Sequence, residues 1–582
     1  MAKELKSYRP PIMGTTHMVS AGHYLAASAG YRILEEGGNA VDAGVAAGIA
    51  INVTLPHATN FGGVAPIAIY EARSSSVVTV SGLGRWPRAA NLEYFKENCD
   101  NQIPIGVLRT VIPSAPDAWL TALRLYGTMT FESVVAPALE LAEKGFPVTS
   151  YLHDGLQAEE EDHEGGIALW PSTRGIYMPN GHLPSVGEIL VQSDLAKTFR
   201  RLIEAEKGAA NLGREPAIQA ARDRFYKGDI AAELVRFSEE NGGLCTIEDF
   251  VDFSVKIEPP EVGNFRNYTI YTCGAWCQGP VVAQVLQMLE DDDLAALGHN
   301  SLEYIHLVSQ ALNLAYSDRH AFYGDPDHVD VPIKGLLSKG YTRNRRGDID
   351  PQNTFPSMAD PGDPWNSQAG VGGKVPYLGT SPSSGPRLQD TSYVCVVDKW
   401  GNAFSATPSD PLGGSPIVPG LGIQMSSRGS QSWLDPDHPS SLQPWKRPRL
   451  TPNPAIAFKD GKLFMPFGTP GGDTQCTSMV QLFLNVTGFG MDPQQAIEQP
   501  RFAPWNFPNS FWPHAYNPGR LEIEGRIDTG VIGKLLGLGH DVKPLSDWSP
   551  AMGALSTIVV DHETGTLKGG ADPRRDSYAI GR

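Results

Sequence analysis

The stretch LQDTSYVCVVDKWGNA, residues 388–403, joins two unlike kinds of sequence at Asp390-Thr391. Upstream, residues 351–390 carry 7 Pro, 6 Gly and 5 Ser in 40 positions without apolar periodicity, so they cannot repay their ordering entropy by burial and read as a flexible surface loop. Downstream, Thr391 leads into an apolar, strand-like run. A threonine hydroxyl is a weak nucleophile unless a base sits beside it, and a threonine at a chain terminus carries such a base in its own α-amine. That amine titrates near pH 7.7–8, so a large share of it is neutral at physiological pH. Cleavage between Asp390 and Thr391 would create nucleophile and base together. Asp-Thr is also an ordinary structural pair, and from the residues alone both readings stay open.

The other chemistry-bearing clusters read as structural. QAEEEDHEGG (157–166) collects carboxylates around His163, but it lacks EF-hand or HExxH spacing and reads as a solvated face. Cys273 and Cys277 in CGAWC are neither a CxxC pair nor matched by a second Cys/His cluster, so they read as packing residues. No metal site is expected and no cofactor box is found. The other four cysteines, Cys99, Cys245, Cys395 and Cys476, are scattered, which argues for reduced thiols rather than a disulfide framework.

The elements that would position Thr391 follow from patterning. Residues 21–60 hold two helix candidates separated by GGNA. The second is rich in Ala and Gly, as a helix buried against a sheet would be. APIAIYEA and SSVVTVSG suggest a hairpin. Helical patterns dominate from 130 to 250, with Thr130 and Ser133 as capping candidates, and two longer amphipathic patterns follow in PVVAQVLQMLEDDD and SLEYIHLVSQALNLAYSDRHAFYGD. After Thr391 the pattern turns to strands around DKWG and KDGK, so the sheet is expected largely in the C-terminal third.

Composition bounds the function. The chain has 582 residues, 41% hydrophobic and 19% charged, with 62 Gly and 47 Pro, which fits a loop-rich globular protein with a sizeable core. A formal charge of -17 argues against nucleic acid or an anionic membrane as partner. Neither an apolar leader nor a stretch of about 18 apolar residues is found, and a cytoplasmic enzyme is expected.

Seven segments, in order, resemble signatures of the gamma-glutamyltranspeptidase family: GGNAVDAGVAAGIAINVTLPHATNFGG, AYSDRHAFYGDP, DTSYVCVVDKWGNA, KRPRLTPNPAI, GTPGG, QPRF and GGADPR. The resemblance implies an α+β fold, the four-layer αββα sandwich of the N-terminal-nucleophile hydrolases, made as a zymogen that cuts itself. On it, Thr391 attacks the Asp390 carbonyl. A large subunit (1–390, with 351–390 the pre-cleavage loop) and a small subunit (391–582) then form one intertwined domain. This heterodimer could pair into a dimer of heterodimers. Ser409 matches the family hydroxyl that supports the nucleophile, and the Gly471 and Gly472 N–H groups match its oxyanion hole.

Substrate recognition departs from that pattern. The family's arginine for the glutamyl α-carboxylate falls at about Leu83, with Arg85 two residues on. Its asparagine for the α-amine aligns with Pro411 and its aspartate falls at about Gln431. Its two serines align with Leu450 and Thr451. A buried free amino-acid head group needs both a cation and an anion aligned on it, so these losses should remove strong γ-glutamyl preference. The segment between Gln431 and KRPRL is also short for the family's lid. The pattern is similar to the acylase-like branch, with glutaryl-cephalosporin acylases and oxamate amidohydrolase. It implies a small-molecule amide substrate whose acyl group bears a carboxylate, gripped by Arg85 or Arg428, with Thr451 nearby. The alternatives are a true γ-glutamyl hydrolase or transferase acting on glutathione, and an unprocessed, catalytically silent binding protein.

Overall fold

Period-two alternation in the strand after Thr391 sorts its side chains into two cores. Val394 and Val396 face a helical layer, whereas Tyr393, Cys395 and Val397 face a second sheet. The facing sheet repeats the rule, with Ala455 and Ala457 turned to helices and Ile456 and Phe458 turned to the inter-sheet core. A computed structural model describes residues 7–161, 166–366 and 391–582.

Two seven-stranded antiparallel sheets result. One runs in the order Tyr578–Gly581, Met18–Ala21, Val394–Val397, Ala403–Ala406, Ile67–Glu71, Ser76–Val80 and Ile257–Glu258. The other runs Ile12–Gly14, Thr566–Ala571, Ser556–Asp561, Lys462–Gly468, Ala455–Lys459, Tyr268–Thr272 and Glu261–Phe265. Helices Tyr24–Glu35 and Ala40–Thr54 cover the first sheet, and helices Gly279–Met288, Leu302–Phe322 and Thr474–Thr487 cover the second. This is the expected four-layer αββα sandwich.

The helix Ala40–Thr54 shows why small residues were needed. Every residue in it is buried, and a side chain at Gly44 would overlap the ring of Phe404 in the central strand below. Asn39 starts it with a capping box, accepting from Val41 N (2.9 Å) and Asp42 N (3.0 Å) while its own N–H donates to Asp42 (2.9 Å).

Three expectations are corrected. The strands do not lie largely after Thr391. Each sheet interleaves strands from both sides of it, because central strands pair with elements such as Met18–Ala21 and Tyr268–Thr272. Helices Gly279–Met288 and Leu302–Phe322 are not amphipathic in the structure; they are buried nearly all round, packed between the sheet and outer elements. Residues 351–366 do not lie wholly on the surface. Met358 and Ala359 join the core, Met358 N donates to Tyr516 OH (2.6 Å), and Arg345 and Asp318 hold Asp360 O and Gly362 N. Two apolar side chains and a few backbone anchors suffice there, which a Pro/Gly count does not reveal. The rest of the proposed loop, Asp390 and His163 lie outside the described residues.

Candidate active site

Thr391 and Ser409 reach one point from the two ends of a central hairpin. Strand Val394–Val397 starts just after Thr391, and its partner Ala403–Ala406 ends just before Ser409. The hydroxyls meet at 2.5 Å, both buried. Backbone bonds fix both residues: Thr391 N donates to Ala58 O (2.7 Å), and Ser409 pairs with Val64 in both directions (2.9 and 3.1 Å). Thr391 has φ +82°, a left-handed conformation that a β-branched residue adopts only under strain of about 1–3 kcal/mol. That strain is stored at the residue whose chemistry the sequence singled out.

Arg428, fully buried in a short 3-10 turn, donates from Nη2 to Ser409 Oγ. Its Nε lies 3.9 Å from the Asp410 carboxylate. Asp410 also accepts from Ser426 Oγ (2.5 Å), Ser427 N (3.0 Å) and Ser427 Oγ (2.6 Å). Burial pushes its carboxyl pKa up, opposed by Arg428 and the two serines. Asp410, Ser426 and Ser427 were missed from sequence; their one signal is that Asp410 follows Ser409 and the serines precede Arg428.

Gly471 and Gly472 take φ of +127° and +56°, a turn that only glycines make without strain. Among the described residues neither N–H is donated to another group. Gln278 ties this turn to Thr451, its Nε2 donating to Gly472 O (2.8 Å) and Thr451 O (2.9 Å). Arg319 fixes Gln278 through Oε1 (2.7 Å) and pairs with Asp473, the residue after the turn. Burial raises the Asp473 carboxyl pKa, but Arg319 and Ser510 outweigh it and hold it below the usual range. Phe511 connects the turn with Arg428: its ring lies 5.3 Å from the guanidinium carbon and 3.5 Å from where a Gly472 side chain would begin. Gln278 and Phe511 carried no signal of their own in the sequence, and Arg319 showed only as part of the AYSDRHAFYGDP signature.

Arg85 is placed differently from its expected role. It is 7% exposed, donates to Asp325 (3.3 Å), Asp327 (2.5 Å) and Trp445 O (2.8 Å), and is thus engaged in ion pairs within the protein. Burial raises the Asp327 pKa, but Lys256, Arg85 and Arg447 together hold it far below the carboxylate range. Thr451 accepts from Gln431 Nε2 (2.9 Å), so it too is engaged within the protein. Leu83 and Leu450, 1% and 0% exposed, pack in a single apolar cluster with Val64, Cys273, Trp276 and Cys277. The two cysteines are packing residues, as read from sequence. Among the described residues no group of three or more His, Cys, Asp or Glu could hold a metal.

An αββα sandwich with a buried threonine at the head of a central strand and a second hydroxyl bonded to it is the architecture of an N-terminal-nucleophile hydrolase. The gamma-glutamyltranspeptidase family model matches residues 26–582, and the chain belongs to that family. It is 33% identical to the glutathione hydrolase-like YwrD proenzyme of Bacillus subtilis over 98% of this chain and 99% of that protein. It is 30% identical to the oxamate amidohydrolase proenzyme of Klebsiella pneumoniae over 97% of this chain and 99% of that protein. The cephalosporin acylase of Bacillus halodurans superposes with a TM-score of 0.85 at 27% identity, covering 100% of this chain and 98% of the other. The protein is accordingly a self-processing amidohydrolase or acyltransferase of the N-terminal-nucleophile type.

Proposed function

We propose that the scissile bond is Asp390–Thr391, that Thr391 is the nucleophile, and that the substrate is a small non-γ-glutamyl amide whose acyl group bears a carboxylate. In processing, Thr391 Oγ bonds to the Asp390 carbonyl carbon, the peptide C–N bond breaks and the hydroxyl proton passes to the released nitrogen. Water then hydrolyses the ester, leaving the Asp390 carboxylate and a free α-amine. In turnover that amine takes the Thr391 hydroxyl proton, Oγ bonds to the substrate carbonyl carbon, the substrate C–N bond breaks and the substrate's nitrogen leaves with the proton handed on by the α-amine. Water finally releases the acid. The bond from Thr391 N to Ala58 O supports this use of the amine, because it holds the nitrogen in place beside its own hydroxyl. Gly471 and Gly472 N–H groups are the proposed oxyanion donors.

The observation that carries the substrate reading is the apolar cluster of Leu83 and Leu450. Where the family pattern puts an arginine and a serine for the α-carboxylate, this chain has two buried leucines that offer no hydrogen bond. Pro411 likewise offers no amide side chain. The likeness to oxamate amidohydrolase supports an acidic acyl group. Further parts of the proposal are a heterodimer of 1–390 and 391–582, its pairing into a dimer of heterodimers, no nucleic-acid or membrane partner, and residence in the cytoplasm. The last is supported by six free cysteines. Among the described residues no helix is long and apolar enough to cross a membrane. The test is to incubate purified protein with glutaryl, oxamate-type and γ-glutamyl amides side by side. Turnover should favour the first two, and robust γ-glutamyl turnover overturns the reading. A chain that stays uncut and inert on all three would instead be a binding protein.

A further inference from the structure

We propose that Arg428 is a positioning residue that acts through Ser409 on the Thr391 hydroxyl, and that it does so first in the precursor, before any substrate binds. The inference rests on the reading of Asp390–Thr391 as the scissile bond. In the uncut chain Thr391 N is an amide nitrogen, which has no basic lone pair, so the base proposed for turnover does not yet exist. Among the described residues the one polar group that touches Thr391 Oγ1 is Ser409 Oγ, at 2.5 Å. Ser409 Oγ in turn accepts from Arg428 Nη2.

The direction of these bonds follows from what the groups can do. A guanidinium only donates and keeps its protons, so Arg428 cannot be the base. A serine hydroxyl has one hydrogen and two acceptor sites; with one acceptor site taken by Arg428, its hydrogen is free for Thr391. The positive charge makes that O–H a stronger donor, which stabilises negative charge developing on Thr391 Oγ. Thr391's own proton is then released toward the departing nitrogen. In the step as a whole the Oγ–C bond forms, the C–N bond breaks and one proton moves from Oγ to N, while Arg428 and Ser409 end as they began.

The surroundings hold this line in place. Asp410, next in sequence to Ser409, lies 3.9 Å from Arg428 Nε and is fixed by Ser426 and Ser427. The Phe511 ring, 5.3 Å from the guanidinium carbon, packs on Arg428. Asp410 has φ +144°, so the turn that brings its carboxylate toward Arg428 is itself strained. The arrangement is a fixed cation aimed at the nucleophile's neighbour, which differs from a side chain left to meet a ligand.

Self-cleavage separates this role from grip on a substrate carboxylate, because cleavage needs no substrate. Full-length precursor of wild type, Arg428→Met, Ser409→Ala and the double variant would be followed on denaturing gels, with far-UV circular dichroism as the folding control. Arg428→Met should slow appearance of the two chains by about 10- to 100-fold, the range of a lost charged hydrogen bond. The double variant should be no slower than Ser409→Ala alone. Cleavage at the wild-type rate in Arg428→Met, or an additional slowing of equal size on top of Ser409→Ala, overturns the proposal. If Arg428→Met does not fold, Arg428→Lys retains the buried charge without the fork geometry. It should cut about 10-fold more slowly, and wild-type cutting by it also overturns the proposal. A wild-type chain that never cuts overturns the parent reading as well, whereas a cut wild type with unaffected variants overturns this one alone.

Discussion

Leu83 and Leu450 lie in one buried apolar cluster although they come from segments more than 350 residues apart. The strand-like contact between Cys277 and Leu450 and the bond from Leu450 N to Trp276 O (2.8 Å) fix the second leucine there. Neither side chain offers a charge or a hydrogen bond where the resemblance implies groups for a glutamyl α-carboxylate. A γ-glutamyl anilide should therefore turn over poorly. Losing a buried charged partner costs about 2–5 kcal/mol. At about 1.4 kcal/mol per tenfold this is roughly 30- to 4000-fold in kcat/KM against a preferred amide. Chromogenic anilide release measures it directly.

Thr391→Ala should abolish both events that need its hydroxyl. The chain should remain a single band on a denaturing gel, with amide turnover down by at least about 1000-fold, while the melting temperature stays within a few degrees of wild type. Turnover by this variant at more than a trace would place the nucleophile elsewhere.

Arg85→Gln separates a structural arginine from a substrate-binding one. It leaves Asp325 and Asp327 without one partner, and breaking a buried pair costs about 3–5 kcal/mol. The expected result is a clear fall in melting temperature with KM for acidic amides unchanged in the folded fraction. A raised KM at unchanged stability would restore the arginine to the substrate site.

Gly44→Ala sets two effects of opposite sign against each other. Alanine is favoured over glycine in a helix by about 1 kcal/mol. Here its methyl would overlap the fully buried Phe404 ring, and overpacking costs about 1–3 kcal/mol. The steric term should win, giving a lower denaturant midpoint at unchanged slope. A raised midpoint would mean the ring moves freely.

Lys446 supplies a pH test. Burial lowers its pKa from 10.5 to about 8, with Asp325 pulling partly the other way. Below about pH 8 both native and unfolded chains hold the proton and the full burial penalty is present. Between about 8 and 10.5 the unfolded chain holds more protons, so this group's contribution to stability improves as pH rises. Lys446→Met should raise the melting temperature at pH 7, with the gain shrinking as pH approaches 10.5. A gain that is constant with pH would show that packing, not charge, sets it.

Much of the scaffold was legible because it depends on local rules. The strand-like run after Thr391 and the small residues of 40–54 each act within a few residues of chain, and the structure follows them. The packed stretch at 351–366 was not legible, since its anchors, such as Tyr516 and Asp318, are far away in sequence. The even sharing of strands between the two halves was hidden for the same reason.

The amino-acid sequence by itself determined the family and singled out Thr391 as the residue to test, because both are written in contiguous motifs. Only the tertiary structure decided what the two arginines touch. Arg85 meets Asp325 and Asp327, whereas Arg428 meets Ser409, and nothing in either neighbourhood of sequence distinguishes them. A guanidinium takes its role from whichever acceptor lies within hydrogen-bond reach, and that is settled by how the central hairpin and the 3-10 turn fold against one another.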